Sequence, residues 1–271
     1  ERADAVIAGA ALSGLSVALA LAEAGLEVVI VDRTDPREAV AGDGDIRTTA
    51  ISLSSRRLLT ALGAWDAVAD RAEPILDIRV SDADSPIHLH YDHRAVGDEP
   101  MGHIIVNNDL KKALLERLAT FPSVTIAPPG SIDELTVTPG AATLTLTDGR
   151  RITGAVVVGA DGRESAVRSL AGLRVTRLPY GQSSIVDTIG HDLPHHGLAH
   201  ERFMPGGPVA LLPLSGNRSA LVWTERNAVA ERIARLDDDA FAAALTERFG
   251  DSFGTLRPLG PRRVFPLELV V

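Results

Sequence analysis

Two short glycine turns hold the residues best suited to chemistry. The first, Gly9-Ala10-Ala11-Leu12-Ser13-Gly14, follows the apolar run Ala5 to Ala8 and precedes a helical stretch with Leu15, Leu19 and Ala22 on one face. Gly25 closes that helix, and a second apolar run, Val28 to Val31, ends at Asp32. Strand, helix and strand within about 30 residues make one βαβ unit. In such a turn the first glycine permits a tight exit from the strand, the second lets backbone approach a pyrophosphate, and the third lets helix and strand pack closely. The helix start adds free N–H groups and a partial positive charge for the phosphates. Asp32 is placed to accept hydrogen bonds from ribose hydroxyls. Gly9, Ala11, Leu12, Ser13, Gly14 and Asp32 are therefore candidate nucleotide-binding residues. Ala11 stands where the second glycine belongs and brings a methyl group near the pyrophosphate. Arg33 is either a reader of a ribose 2′-phosphate, as NADP carries, or a surface charge.

The second turn, Gly159-Ala160-Asp161-Gly162, follows the apolar run Val156 to Val158, read as a buried strand, and leads into a short helix with Val167 and Leu170. Asp161 and Gly162 join the candidate set. The first turn alone does not choose between NAD and FAD; a second strand-end carboxylate converging on the same ligand favours the longer one, FAD. No catalytic triad, paired-carboxylate site or zinc signature is legible, so no catalytic side chain and no metal ligand is assigned. His191, His195, His196 and His200 cluster around Pro194 and read as a solvated turn, not a metal centre. His88, His90 and His93 alternate along a strand end and read as structural or exposed.

Positioning these turns requires the rest of the chain. Its 271 residues suffice for one large or two smaller domains. A charge of −9 disfavours phosphate-backbone partners, so nucleic acid is not an expected partner. With no cysteine, disulfides, iron–sulfur clusters and thiolate zinc sites are excluded. No apolar run reaches the ~18 residues of a membrane span. Residues 33–50 read as a long loop, Leu53 to Leu62 as a helix closed by Gly63, and 75–91 as two strands. Asn107 or Asn108 caps a helix carrying Leu110, Leu114, Leu115 and Leu118. Residues 123–158 are short strands, with Asp148-Gly149 as a hairpin turn. Residues 180–224 are mostly β, Asp237 caps a helix with Phe241, Leu245 and Phe249, and Arg262 to Val271 is a strand.

The pairing of the two turns resembles the p-hydroxybenzoate-hydroxylase-fold flavoprotein monooxygenases, and within them the ubiquinone-biosynthesis hydroxylases. Asp45-Ile46-Arg47-Thr48-Thr49-Ala50-Ile51-Ser52 is similar to the family's D-x-R-x-x-A-L-S segment. Asn107-Asn108-Asp109-Leu110 resembles its N-R-x-L helix start, with Asn108 where arginine is frequent. Glu201-Arg202-Phe203-Met204-Pro205, Gly207 to Leu214, Ser219 to Glu225 and Phe265-Pro266-Leu267 match further blocks, so the resemblance spans nearly the whole chain.

The resemblance implies an α/β fold: a Rossmann-like FAD-binding domain (1–73 and 100–171) with an inserted and following β-rich substrate domain (74–99 and 172–271). It implies Arg47 close to the flavin, Asn108 in a helix touching FAD, and Asp161 at the ribityl or pyrophosphate region. The implied activity is FAD-dependent hydroxylation of a polyprenylated phenol in ubiquinone biosynthesis, with molecular oxygen as co-substrate and NAD(P)H or a protein as electron donor. A cytoplasmic location follows, with peripheral contact at the inner membrane or a biosynthetic complex. The family's next motif, G-D-A-A-H with P-x-x-G-Q-G-x-N, lies after the F-P-L segment; a carboxy-terminal part beyond Val271 is expected, and the piece alone is expected to bind FAD weakly and be inactive. Two other readings stay open: a hydroxylase of a small soluble aromatic, and a non-catalytic scaffold.

Overall fold

The computed structural model describes residues 2–41, 45–83, 85 and 87–271. Residues 42–44 of the expected loop, and 84 and 86 of the expected strand pair, lie outside the described residues. In chain order the first elements are β1 (Arg2–Ala8), α1 (Leu12–Glu23), β2 (Val28–Val31), α2 (Pro36–Ala39), β3 (Thr48–Ser52), α3 (Leu53–Ala61), β4 (Glu73–Ile75), β5 (Asp77–Asp82) and β6 (His88–Asp92). Next come β7 (Gly102–Val106), α4 (Asn107–Leu118), β8 (Val124–Ile126), β9 (Ile132–Thr138), β10 (Ala141–Leu146), β11 (Arg151–Gly159) and α5 (Ala166–Leu170). The chain continues through β12 (Arg177–His191), β13 (Leu198–Met204), β14 (Gly207–Leu214), β15 (Arg218–Arg226), α6 (Asn227–Ala234), α7 (Asp238–Phe249), β16 (Leu256–Pro258) and β17 (Arg263–Val270).

Two compact units emerge: Glu1–Ile46, Arg57–Ala69 and Asn107–Val175 form one, and Arg47–Arg56, Asp70–Val106 and Thr176–Val271 the other. Residues 47–56, 70–73 and 100–106 thus fall in the second unit and 172–175 in the first, the reverse of the division that the resemblance implies.

The first unit is built on a six-stranded sheet in the order β8-β2-β1-β11-β10-β9. β1 runs parallel to β2 and to β11, with Ala5 opposite Val28 on one side and Val156 on the other. Strands covered on both faces read as continuous apolar runs, and all four residues of β2 are buried. Leu15 and Leu19 of α1 are fully buried, and α1 packs on α4. Each such leucine contributes about 1.5–3 kcal/mol of burial. The Asp148-Gly149 turn joins β10 to β11, with Gly149 at φ 85°.

The second unit centres on an eight-stranded sheet, β16-β12-β15-β14-β13-β5-β6, with β17 also paired to β12. Ile185, Ile189, Leu211 and Trp223 pack under Phe241, Leu245 and Phe249 of α7. Asp237 caps α7 by accepting the Ala240 N–H at 2.8 Å. A three-stranded sheet, β3-β7-β4, adds Ile75 and Ile104 to a core shared with Ala199, Leu214 and Ala220.

Four expectations need correction. The stretch 33–50 is not one loop: Asp35 caps the short α2, and Thr48 begins β3, which pairs with β7. The tertiary partner β7 makes a strand of a segment with little apolar periodicity of its own. Asn107 does not cap α4 from outside but is its first residue, because β7 runs straight into the helix. Val156 is 49% exposed, so the end of β11 is not a buried strand; an apolar run reports affinity for a partner, not which partner covers it. His191, His195 and His200 are buried at 3%, 8% and 8% exposure, and only His196 of that cluster is exposed. His191 Nδ1 pairs with the Leu193 carbonyl at 2.7 Å and its Nε2 with Ser219 Oγ. His195 holds the Leu214 carbonyl through Nε2 and accepts the Gly197 N–H at Nδ1. These internal bonds replace the water that a solvated turn would have used.

Candidate functional site

The two glycine turns sit side by side in the first unit. Ala8 is in register with Gly159 at the carboxyl ends of adjacent parallel strands, and the Ala160 N–H donates to the Ala8 carbonyl at 2.7 Å. That places both turns at the sheet edge where α/β folds bind ligands. Gly9 has φ +103°, and a Cβ there would lie 2.3 Å from the Ala160 carbonyl oxygen. A Cβ on Gly14 would lie 1.9 Å from the Gly9 carbonyl oxygen. Both glycines are therefore demanded by the protein's own backbone: Gly9 by the neighbouring turn, Gly14 by the first. Ala11 differs. It precedes α1 at φ −89° and ψ −175°, extended backbone that any residue adopts, and its carbonyl accepts the Leu15 N–H. A methyl group there costs no strain.

Asp32 ties this arrangement together. Its Oδ2 accepts the Ala10 N–H at 2.7 Å, and its Oδ1 accepts the Thr34 N–H at 3.0 Å and the Thr34 hydroxyl at 3.1 Å. The carboxylate holds the first turn from the end of β2, and its remaining lone pairs are available to a hydroxyl. The Gly130 N–H donates to the Asp32 carbonyl at 2.9 Å, drawing the loop before β9 to the same edge.

A cavity of about 430 Å³ lies here, lined by Gly9, Ala11, Asp32, Arg33, Asp161 and Gly162, with Gly130, Ser131 and Glu164 completing the wall. Leu12, Ser13 and Gly14 form the first turn of α1 beside it. The loop residues Gly130 and Ser131 escaped sequence reasoning; Pro128-Pro129-Gly130 is a turn signal, but nothing local says which strand end that turn reaches.

Asp161 stands at the end of β11 and is bonded within its own turn. It accepts from the Ser165 hydroxyl and from the N–H groups of Ala166 (2.7 Å) and Val167 (3.2 Å). Ser165 Oγ in turn accepts the Arg168 N–H at 3.0 Å. Together they cap α5, while Asp161 also borders the cavity. Asn108 does not line the cavity; its amide donates to the Val40 carbonyl at 3.4 Å, and Asn107 donates to Asp45 at 3.1 Å. Arg47 belongs to the second unit, with its guanidinium 5.5 Å from the Phe265 ring centroid.

The chemistry of this edge suits a dinucleotide. Close-packed glycines bring bare backbone to the mouth of the cavity, the start of α1 supplies unpaired N–H donors, and a carboxylate stands at the neighbouring strand end. No helix among the described residues is long and apolar enough to cross a membrane.

Comparison with known proteins agrees with this geometry. The profile of a family described as FAD binding domain matches residues 2–266. The ubiquinone hydroxylase UbiL of Rhodospirillum rubrum is 44% identical over 267 residues, a match covering 98% of this chain and 62% of that protein. The 3-demethoxyubiquinol 3-hydroxylase of Escherichia coli is 32% identical, with 96% of this chain and 67% of that protein covered. The chain thus spans about two thirds of the length of these relatives. Among solved structures, the flavin-dependent monooxygenase PieE in complex with FAD and substrate superposes with a TM-score of 0.76 at 17% identity, covering 100% of this chain and 50% of that one. At that identity the likeness establishes the fold.

Proposed function

The chain belongs to the FAD binding domain family, and on that premise we propose that it is the FAD-holding portion of a monooxygenase that hydroxylates the ring of a polyprenylated phenol in ubiquinone biosynthesis. The observation that carries this reading is the junction of the two glycine turns at one sheet edge, in a chain 44% identical to a ubiquinone hydroxylase. In this reading the backbone N–H groups of Ala11, Leu12, Ser13 and Gly14 hold the pyrophosphate, and Gly9 shapes the turn, its own N–H being donated to the Val31 carbonyl at 2.7 Å. Asp32 accepts from a ribose hydroxyl while keeping its bond to Ala10. Arg33 adds positive charge at the mouth. Asp161 is a positioning residue: it orders the start of α5, so that the Gly162 backbone keeps its place in the wall. Asn108 anchors α4 to Val40 instead of touching the cofactor. FAD, when bound, supplies the oxygen chemistry that no side chain here provides. The protein's share is to orient an electron-rich ring and exclude water. The large sheet of the second unit is assigned the substrate, and Arg47 keeps the role of flavin neighbour that the resemblance implies.

The test uses the full reading frame. The purified protein is expected to carry flavin absorbance. With a reductant and ¹⁸O₂, it is expected to add one labelled oxygen to a prenylated phenol. A colourless protein that takes up no added FAD overturns the cofactor reading. A yellow protein that hydroxylates only small soluble phenols overturns the substrate reading and leaves the cofactor standing.

A further inference from the structure

The second unit carries another cavity, independent of the dinucleotide edge. The strand register lines up three side chains across three strands. His200 on β13 is opposite Arg79 on β5, and Arg79 is opposite His90 on β6. One row along, Arg202, Ser81 and His88 are aligned in the same way. Because strands alternate faces, all of these share one face and Glu201 points to the other. It is the face that α7 covers further along, since the His200 ring lies 6.3 Å from that of Phe249 and 5.0 Å from that of Phe253.

Arg79 and Arg202 bring two guanidinium groups to this face, and like charges on neighbouring strands are destabilising. The acids nearby do not resolve it. Asp77 Oδ1 is paired with His90 Nε2 at 2.7 Å. Asp92 is clamped by the Arg94 guanidinium. Arg202 donates to the Ala83 carbonyl. Arg79 is left over: its Nε is buried without a hydrogen-bond partner. His200 stands beside it, 8% exposed. Burial, then Arg79, Arg202 and His88, pushes its pKa down to about 4, so at neutral pH it offers one N–H donor and one acceptor. Arg79 and His200 both line a cavity of about 400 Å³, with His90, Arg94 and His195 on its walls.

We propose that this cavity binds a small oxyanion of the phosphate class, gripped by the Arg79 guanidinium and hydrogen-bonded by His200. A planar guanidinium fork matches a tetrahedral oxyanion through two parallel N–H bonds. The anion supplies the partner that the buried Arg79 Nε lacks. The phosphate could be free or the headgroup of a lipid, and the experiment separates these sources.

The full-length protein is titrated with inorganic phosphate by calorimetry at constant ionic strength, with chloride as the control. In parallel it is sedimented with phosphatidylcholine vesicles with and without phosphatidate. Saturable binding to either source, weakened about tenfold or more in Arg79→Gln, is the expected result. Arg79→Lys keeps the charge without the fork and is expected to recover part of the loss. His200→Gln keeps a donor and guards against a folding artefact at Arg79. Binding to phosphate alone assigns a soluble ligand, and binding to phosphatidate vesicles alone assigns a membrane headgroup. No saturation with either source, or equal binding by Arg79→Gln, overturns the site. Arg79 and His200 stand outside the proposed flavin site, so the visible spectrum is expected to be unchanged in these variants.

Discussion

At Asp32 one oxygen serves the Ala10 N–H and the other serves Thr34, so an amide cannot satisfy both. Asp32→Asn turns an NH₂ group toward one of these donors. The cost expected is about 1–3 kcal/mol of unmet hydrogen bonding, read as a lower denaturation midpoint, together with weaker FAD binding. Wild-type stability in the Asp32→Asn protein would show that the bond to Ala10 contributes little. Asp187, 3% exposed on β12, gives a prediction of opposite sign. Burial raises its pKa to about 6, against the Thr188 N–H and the Arg262 charge. The folded state then holds a proton that the unfolded state has released between about pH 6 and 4. Stability from this group therefore rises as pH falls through that window, and the ionised form at pH 8 costs on the order of 2–3 kcal/mol. Asp187→Asn keeps the acceptor for Thr188 and is expected to raise stability by that amount at pH 8, with no gain below pH 4. His200 works the other way: its folded pKa is depressed, so its contribution is present above its unfolded value near 6.5 and is lost as pH falls toward 4.

The helices show where capping and site geometry coincide. α5 is five residues long, too short to persist without tertiary support. Its start is held by Ser165 and by Asp161, which also borders the cavity. Ser165→Ala removes the acceptor for the Arg168 N–H and is expected to cost about 1 kcal/mol. It is also expected to lower FAD affinity, because the Gly162 wall loses its anchor. Asp237→Ala removes a comparable cap from α7 in the second unit. Denaturation is expected to show a similar stability loss with FAD affinity unchanged. Equal loss of affinity in both variants would mean that general destabilisation, not the position of Asp161, governs binding. At the first turn, Gly9→Ala is blocked twice, by a positive φ and by the Ala160 carbonyl. Ala11→Gly relieves no strain and is expected to leave stability within about 1 kcal/mol.

Across the whole molecule, each unit holds one of the two tryptophans, Trp65 in the first and Trp223 in the second, both buried. With fluorotryptophan incorporated, each resonance reports the unfolding of its own unit. FAD at about a hundredfold excess over its dissociation constant is expected to stabilise the state seen by Trp65 by about 2.7 kcal/mol. An unmoved Trp65 transition would place the FAD site elsewhere. The residue order alone determined a good deal here. Periodicity and turn chemistry specified β1, α1, β2, the Asp148-Gly149 hairpin and the capped α7, because side-chain alternation and capping depend on residues a few positions apart. The resemblance reached the family for the same reason: motifs are local strings. Only the tertiary structure decided who stands beside whom. It brought Ala8 into register with Gly159, gave the Asp161 carboxylate to α5, left Val156 half uncovered and buried His200 against Phe253. Each of these depends on pairing between segments far apart in the chain. A buried polar group takes whichever partner that pairing brings to it, and no neighbour in the sequence encodes that choice.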